Sequence, residues 1–172
     1  MPPVVKRHIA ALLLGLAVAG AAACASAGRS ASAPELSPER AAAVVSGVQA
    51  TLDAYRKLAA AGRWDALMRL YADDPRFRWV ANGAVEARSV AEIRQHFFAL
   101  APEARVETTF EDTEIAALSP DLARVVTRFK TRVVDPYAGG FSFGGILTTT
   151  LVRLPDGWKI LDGHSSSPSR QH

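Results

Sequence analysis

From Arg105 to Ser165 the chain is strand-like in four long runs separated by turn residues, and this pattern restricts the folds available to it. Arg105 to Ala117 alternates, Ser119-Pro120-Asp121 turns, and Ala123 to Val134 alternates again. Pro136 to Gly140 form the next turn. Phe141 to Leu154 is a third run, rich in Thr and β-branched residues, and Pro155-Asp156-Gly157 leads into Trp158 to Ser165. Alternation assigns faces. In the first run Val106, Thr108 and Phe110 share one side, while Arg105, Glu107, Thr109 and Glu111 share the other. In the second, Val125, Thr127, Phe129 and Val133 oppose Arg124, Val126, Arg128, Lys130 and Arg132. An antiparallel pairing then sets Glu107 and Glu111 beside Arg128 and Arg132, a cross-strand charge ladder. One face of the sheet is charged, so the other requires a cover of helices.

The upstream residues supply that cover. Ser37-Pro38 reads as a helix cap followed by Pro at the first helical position. Val44, Val48, Leu52, Tyr55 and Ala59 fall on one face, and Gly62 ends this helix. A second helix is expected from Trp64 to Ala72, stopped by Pro75. Phe77 to Val80 reads as a short strand, Asn82-Gly83 as a hairpin turn, and Ala84 to Ala87 as its return. Ser89-Val90-Ala91-Glu92 is a capping box opening a third helix, with Val90, Ile93, Phe97 and Leu100 inward. The expected class is α+β: three helices packed on a mainly antiparallel sheet. Gly139-Gly140 and Gly144-Gly145, with no helix to follow, fit a bend or bulge rather than a phosphate loop.

The first residues have another character. Lys6, Arg7 and His8 precede an uncharged run, Ile9 to Ala23, which is short for a membrane span of about 20 residues. The order of charged, apolar and small residues is that of a secretory signal. Ala21-Ala22-Ala23-Cys24 resembles a bacterial lipobox, with Ala21 where the pattern prefers Leu. The resemblance implies removal of residues 1–23 and lipidation of Cys24, the single cysteine. The alternative is an ordinary signal peptide cut among the alanines. Ala25, rather than Asp, after Cys24 favours the outer over the inner membrane by the same resemblance, the domain facing the periplasm. Residues 24–37 are rich in Ala and Ser and read as a flexible tether. The folded domain is expected over 38–167, with 168–172 as a tail.

Charge excludes one class of partner. The whole chain holds 20 Lys and Arg against 17 Asp and Glu. Without Lys6 and Arg7 the two nearly balance, and no basic cluster remains, so nucleic acid is not expected as a partner. Neither the four His nor the one Cys has metal-ligand spacing, so no metal and no cofactor are expected. Ser165 to Ser167 beside His164 lack a nucleophile elbow.

Three stretches in order resemble the SnoaL-like family of the nuclear transport factor 2-like superfamily. "AAAGRWDALMRLYADDPRFRWV" (59–80) resembles its helix–helix–strand opening, with Gly62, Trp64, Leu70, Tyr71 and Asp74 in place. "EARSVAEIRQHFFAL" (86–100) resembles its capped third helix, and "DGWKILDGHSS" (156–166) its closing strand. The resemblance implies a cone-shaped fold, a curved sheet wrapped around a long helix and enclosing a pocket.

Fold alone does not give function, so the pocket residues carry the question. Tyr55 to Asp74 resembles, without a gap, the same stretch of bacterial ketosteroid isomerases. Tyr55 falls on their oxyanion-hole tyrosine, where a phenol stabilises an enolate. Their catalytic Asp does not carry over, because Trp79 stands in its place. The other reading of Tyr55 is a core tyrosine whose hydroxyl finds a partner. Asp162 and His164, alternating with Trp158 and Ile160, are expected to share a face and to reach the pocket, either touching a ligand or satisfied structurally. His96, four residues after Glu92, reads as an exposed helix residue. Trp64, Trp79, Phe97, Phe110, Phe129 and Trp158 are candidates for core and pocket wall. Three functions follow: a carrier for a small apolar ligand, an isomerase- or dehydratase-type enzyme using Tyr55 and His164 with Asp162, or a module that dimerises through the sheet face.

Overall fold

The computed structural model describes residues 36–137 and 139–168. The leader, Cys24 and nearly all of the tether lie outside the described residues, as does the tail beyond Pro168.

Helix α1 spans Pro38–Ala60. Ser37 caps it by accepting a hydrogen bond from the Arg40 amide at 3.4 Å, and Gly62, at φ 65°, turns the chain out of it. Its inward face buries Val44, Val48, Thr51, Leu52 and Ala59. Helix α2, Trp64–Met68, is shorter than its apolar pattern suggests. Its continuation is claimed by the sheet. Ile160 donates to the Leu70 carbonyl and accepts from the Ala72 amide, each at 2.8 Å. Backbone groups that would have extended the helix are thus satisfied by a distant strand.

Asp74 then organises the path into the first strand. Its carboxylate accepts from the Arg76 amide and guanidinium at 2.7–2.9 Å. Those bonds hold its pKa at about 2. Phe77 emerges from this turn fully buried. Strand β1, Arg78–Ala81, turns at Asn82 and Gly83, both at positive φ, into β2, Ala84–Ala87. Helix α3, Val90–Phe98, is capped by Ser89, which accepts from the Glu92 amide at 3.2 Å. Glu92 reaches back one residue beyond the cap, to the Arg88 amide, at 2.7 Å.

Four long strands complete the domain: β3 (Arg105–Ser119), β4 (Leu122–Asp135), β5 (Gly139–Leu154) and β6 (Gly157–Ser166). All six strands form one sheet in the order β2-β1-β6-β5-β4-β3. Every pairing is antiparallel except β1 with β6, which is parallel. The domain is α+β with a mainly antiparallel sheet, and its hairpin lies between the second and third helices.

The faces of β3 and β4 fall as the alternation requires. Glu107 stands opposite Arg132 and Glu111 opposite Arg128. The ion pairs formed are slightly displaced from that register: Lys130 to Glu111 at 2.9 Å and Arg128 to Asp112 at 3.3 Å. All four side chains are largely exposed, so each pair contributes at most about 1 kcal/mol. On the inner face Thr108 and Thr131 share a buried hydrogen bond at 3.0 Å.

The glycine pairs depart from expectation. The β4–β5 ladder runs without interruption from Leu122 to Asp135, so Gly140, Gly144 and Gly145 mark no bulge. They allow close approach instead. A Cβ on Gly144 would stand 2.6 Å from the Phe129 carbonyl oxygen, and one on Gly145 would overlap that of Ser166. The irregularities lie elsewhere. Leu161 has no counterpart on β5, Glu86 none on β1, and Asp112-Thr113 crowd one residue of β4. These bulges change which side chains face inward.

Candidate functional site

A cavity of about 550 Å³ lies between the helices and the inner face of the sheet. That volume is within the range of small-molecule sites, roughly 300–1,000 Å³. Helix α1 contributes Leu52 and Tyr55, the segment after α2 contributes Tyr71, and β1 contributes Trp79 and Ala81. Helix α3 adds Ile93 and Phe97, and Leu100 follows just after its end. The strands supply Phe110, Phe129, Val133 and Leu147 together with Thr108, Thr131, Thr149 and Ser165. The wall is overwhelmingly apolar.

Its polar focus is a pair of tyrosines. The phenols of Tyr55 and Tyr71 lie close enough to shift each other's titration. Tyr71 is buried, with its ring edge-on to Phe77 at 5.9 Å and to Trp79 at 6.3 Å. Tyr55 is half-buried and tilted against Phe110 at 6.3 Å. Burial raises the Tyr55 pKa, and the neighbouring Tyr71 partly offsets this. Burial and the neighbouring Tyr55 together push Tyr71 well above the ordinary phenol value. Both phenols are therefore neutral at physiological pH. A neutral Tyr55 phenol can donate its proton to a carbonyl or hydroxyl of a guest.

The sequence-derived candidates divide into two groups. Tyr55, Trp79, Phe97, Phe110 and Phe129 line the cavity. Trp64 and Trp158 do not. Trp64 stacks behind Phe97 at 5.3 Å, and its buried indole N–H has no partner among the described residues. Trp158 packs against α1 at Gly47, where a Cβ would meet its indole nitrogen at 2.5 Å. Asp162 and His164 do not share the inward face of Trp158 and Ile160. The bulge at Leu161 reverses the alternation, so Gly163 is buried and Ser165 faces the cavity while His164 is exposed. The Asp162 carboxylate accepts from the Thr150 amide at 3.1 Å, a bond internal to the sheet. A bulge depends on the partner strand, and nothing in residues 157–166 alone announces it.

Three ionisable cavity residues escaped the sequence reading. Tyr71 looked like one more apolar helix position. His96 is exposed, as expected of it, yet it also borders the cavity. Glu86 joins it because of the β2 bulge. These two and the tyrosines are the only ionisable groups among the described lining residues. Among the described residues no group of three or more His, Cys, Asp or Glu is placed to hold a metal ion.

Comparisons with known proteins agree with this architecture. No curated protein matches the sequence. A protein of unknown function from Shewanella oneidensis, nuclear transport factor 2-like, is similar in structure. It is 21% identical with a TM-score of 0.59, over 72% of this chain and 98% of that one. A nuclear transport factor 2-like superfamily protein from Salmonella enterica is 14% identical with a TM-score of 0.62, over 76% and 95%. A ketosteroid isomerase-like protein from Erwinia carotovora is 17% identical with a TM-score of 0.58, over 72% and 95%. At these identities the likeness is one of fold. Residues 48–170 match the SnoaL-like domain, and the chain belongs to that family, with a nuclear transport factor 2-like α+β fold.

Proposed function

We propose that this chain is an exported, lipid-anchored carrier whose cone-shaped domain takes up a small, largely apolar molecule bearing one hydrogen-bonding group. The apolar cavity with the Tyr55–Tyr71 pair in its wall carries this reading. Removing a guest's apolar surface from water contributes roughly 25 cal/mol per Å². A hydroxyl or carbonyl on the guest replaces its lost water by the Tyr55 phenol, without which burial would cost about 1–3 kcal/mol. An isomerase-type reaction lacks the carboxylate base that the resemblance calls for. Trp79 occupies the wall where the isomerases place a carboxylate, and the only carboxylate of the lining, Glu86, is exposed.

The uncharged dye N-phenyl-1-naphthylamine tests the proposal. It is expected to bind the purified protein saturably, one molecule per chain, with a blue-shifted emission. Leu147 is buried on β5 and lines the cavity. Leu147→Trp should fill the space and weaken the dye at least tenfold while the circular dichroism spectrum is retained. Non-saturable dye uptake by the unmodified chain, or full binding to Leu147→Trp, overturns it.

The anchor has its own test. In a bacterial host, Cys24→Ser is expected to move the protein from the membrane fraction to the soluble one or to leave its leader uncut. Multiple acyl chains at about 0.8 kcal/mol per buried CH₂ give stable anchoring, which a serine cannot carry. Unchanged retention and processing would reject lipidation.

A further inference from the structure

We propose that Glu86 and His96 form a head-group site at the mouth of the cavity, selecting guests with a cationic or hydrogen-donating head and rejecting anionic ones. This rests on the carrier reading above and names the ligand class for the same cavity.

The placement of Glu86 is a product of the hairpin's irregularity. Trp79 pairs with Ala87 and Val80 with Val85, leaving Glu86 without a counterpart. In a regular strand Glu86 would point away from the face shared by Trp79 and Ala87. The extra residue breaks that alternation and brings Glu86 to the cavity wall. His96 arrives from the other side. It precedes Phe97 and follows Ile93 by three residues on α3, and all three border the cavity. Both Glu86 and His96 are exposed, so they mark the open side, whereas Tyr71 lies buried at the inner wall.

Neither Glu86 nor His96 has an ion-pair or hydrogen-bond partner among the described residues. Every salt bridge found there involves other side chains. An ionised carboxylate is an acceptor only. With no intramolecular donor to satisfy it, Glu86 attracts an ammonium or hydroxyl of a guest and repels a carboxylate, sulfate or phosphate. The apolar residues Phe97, Leu100 and Trp79 line the same cavity and offer an anionic head no compensating donor. The guest is therefore an amphiphile of single polarity: an apolar body toward the tyrosines and an amine, or next best an alcohol, toward the mouth.

Three ten-carbon probes, decylamine, decanol and decanoate, can be competed against bound N-phenyl-1-naphthylamine at neutral pH on the full chain. The expected order of affinity is amine, alcohol, carboxylate, with at least tenfold between the extremes. Glu86→Gln should shrink the amine-to-carboxylate ratio to threefold or less. Decanoate displacing the dye as well as decylamine does, or a Glu86→Gln protein that keeps the full ratio, overturns the head-group site. If the dye binds but the order is absent, only this inference falls. If the dye does not bind, the carrier reading falls and takes the head-group site with it.

Discussion

Phe77→Ala is expected to cost the domain about 3–5 kcal/mol of stability, the usual range for emptying a buried aromatic position. Phe77 is fully buried, and it is among the largest side chains in the core to be so. Its amide donates to the Asp74 carbonyl at 2.9 Å, so the backbone cannot readily follow the vanished ring into the void. The loss also reaches the cavity. Phe77 supports Tyr71 edge-on, and without it the Tyr55–Tyr71 pair loses its backing. Urea unfolding should show the drop, and dye binding should weaken even where the variant remains folded. Phe141 is a fit contrast, being an aromatic at the cavity that is 59% exposed. Phe141→Ala should change stability by less than about 1 kcal/mol. Equal losses for the two would contradict the burial described.

Gly163→Ala is the second large effect. The six-membered ring of Trp79 lies directly on Gly163, and an added methyl would overlap ring atoms. The two residues are also register partners in the parallel β1–β6 pair. Either the indole swings into the cavity or β1 separates from β6. Overpacking of this kind costs about 1–3 kcal/mol. Dye affinity should fall with it, since Trp79 is part of the wall. A double-mutant cycle with Trp79→Leu checks the cause: the double variant should lose clearly less stability than the two single losses added together. Simple additivity would show that the collision is not the origin of the defect.

Much of this domain is written locally in its residues. Ser37-Pro38 starts α1, Asn82-Gly83 turns the hairpin and Ser89 caps α3, because each depends on neighbours a few residues away. The inner and outer faces of β4, and of β3 as far as Glu111 opposite Arg128, are equally legible, since sustained alternation admits one register. What the sequence hides are features decided by a distant partner. Residues 70–72 have helical composition, yet the Leu70 carbonyl and the Ala72 amide bond to Ile160. Leu161 and Glu86 look like ordinary strand positions, and each becomes a bulge only against the strand beside it. The candidate site inherits that division. Tyr55 and the aromatic wall follow from helix and strand periodicity. The exclusion of His164 and the inclusion of Glu86 both turn on one unpaired residue.

The parallel seam between β1 and β6 also bears on how the hollow is assembled. Asn82 accepts from the Ser167 amide across 85 residues of sequence, and Trp79 meets Gly163 over a similar span. The hairpin formed by β1 and β2 is a two-stranded ribbon, marginal in water by itself. It joins the rest of the sheet only through β6, which lies between β1 and β5. Closing so long a loop precedes any reward from the contacts it makes, so this junction belongs among the late events of folding. Until it forms, the apolar wall stands open to water, and a chaperone or a waiting guest molecule would find it more accessible than it ever is in the finished protein.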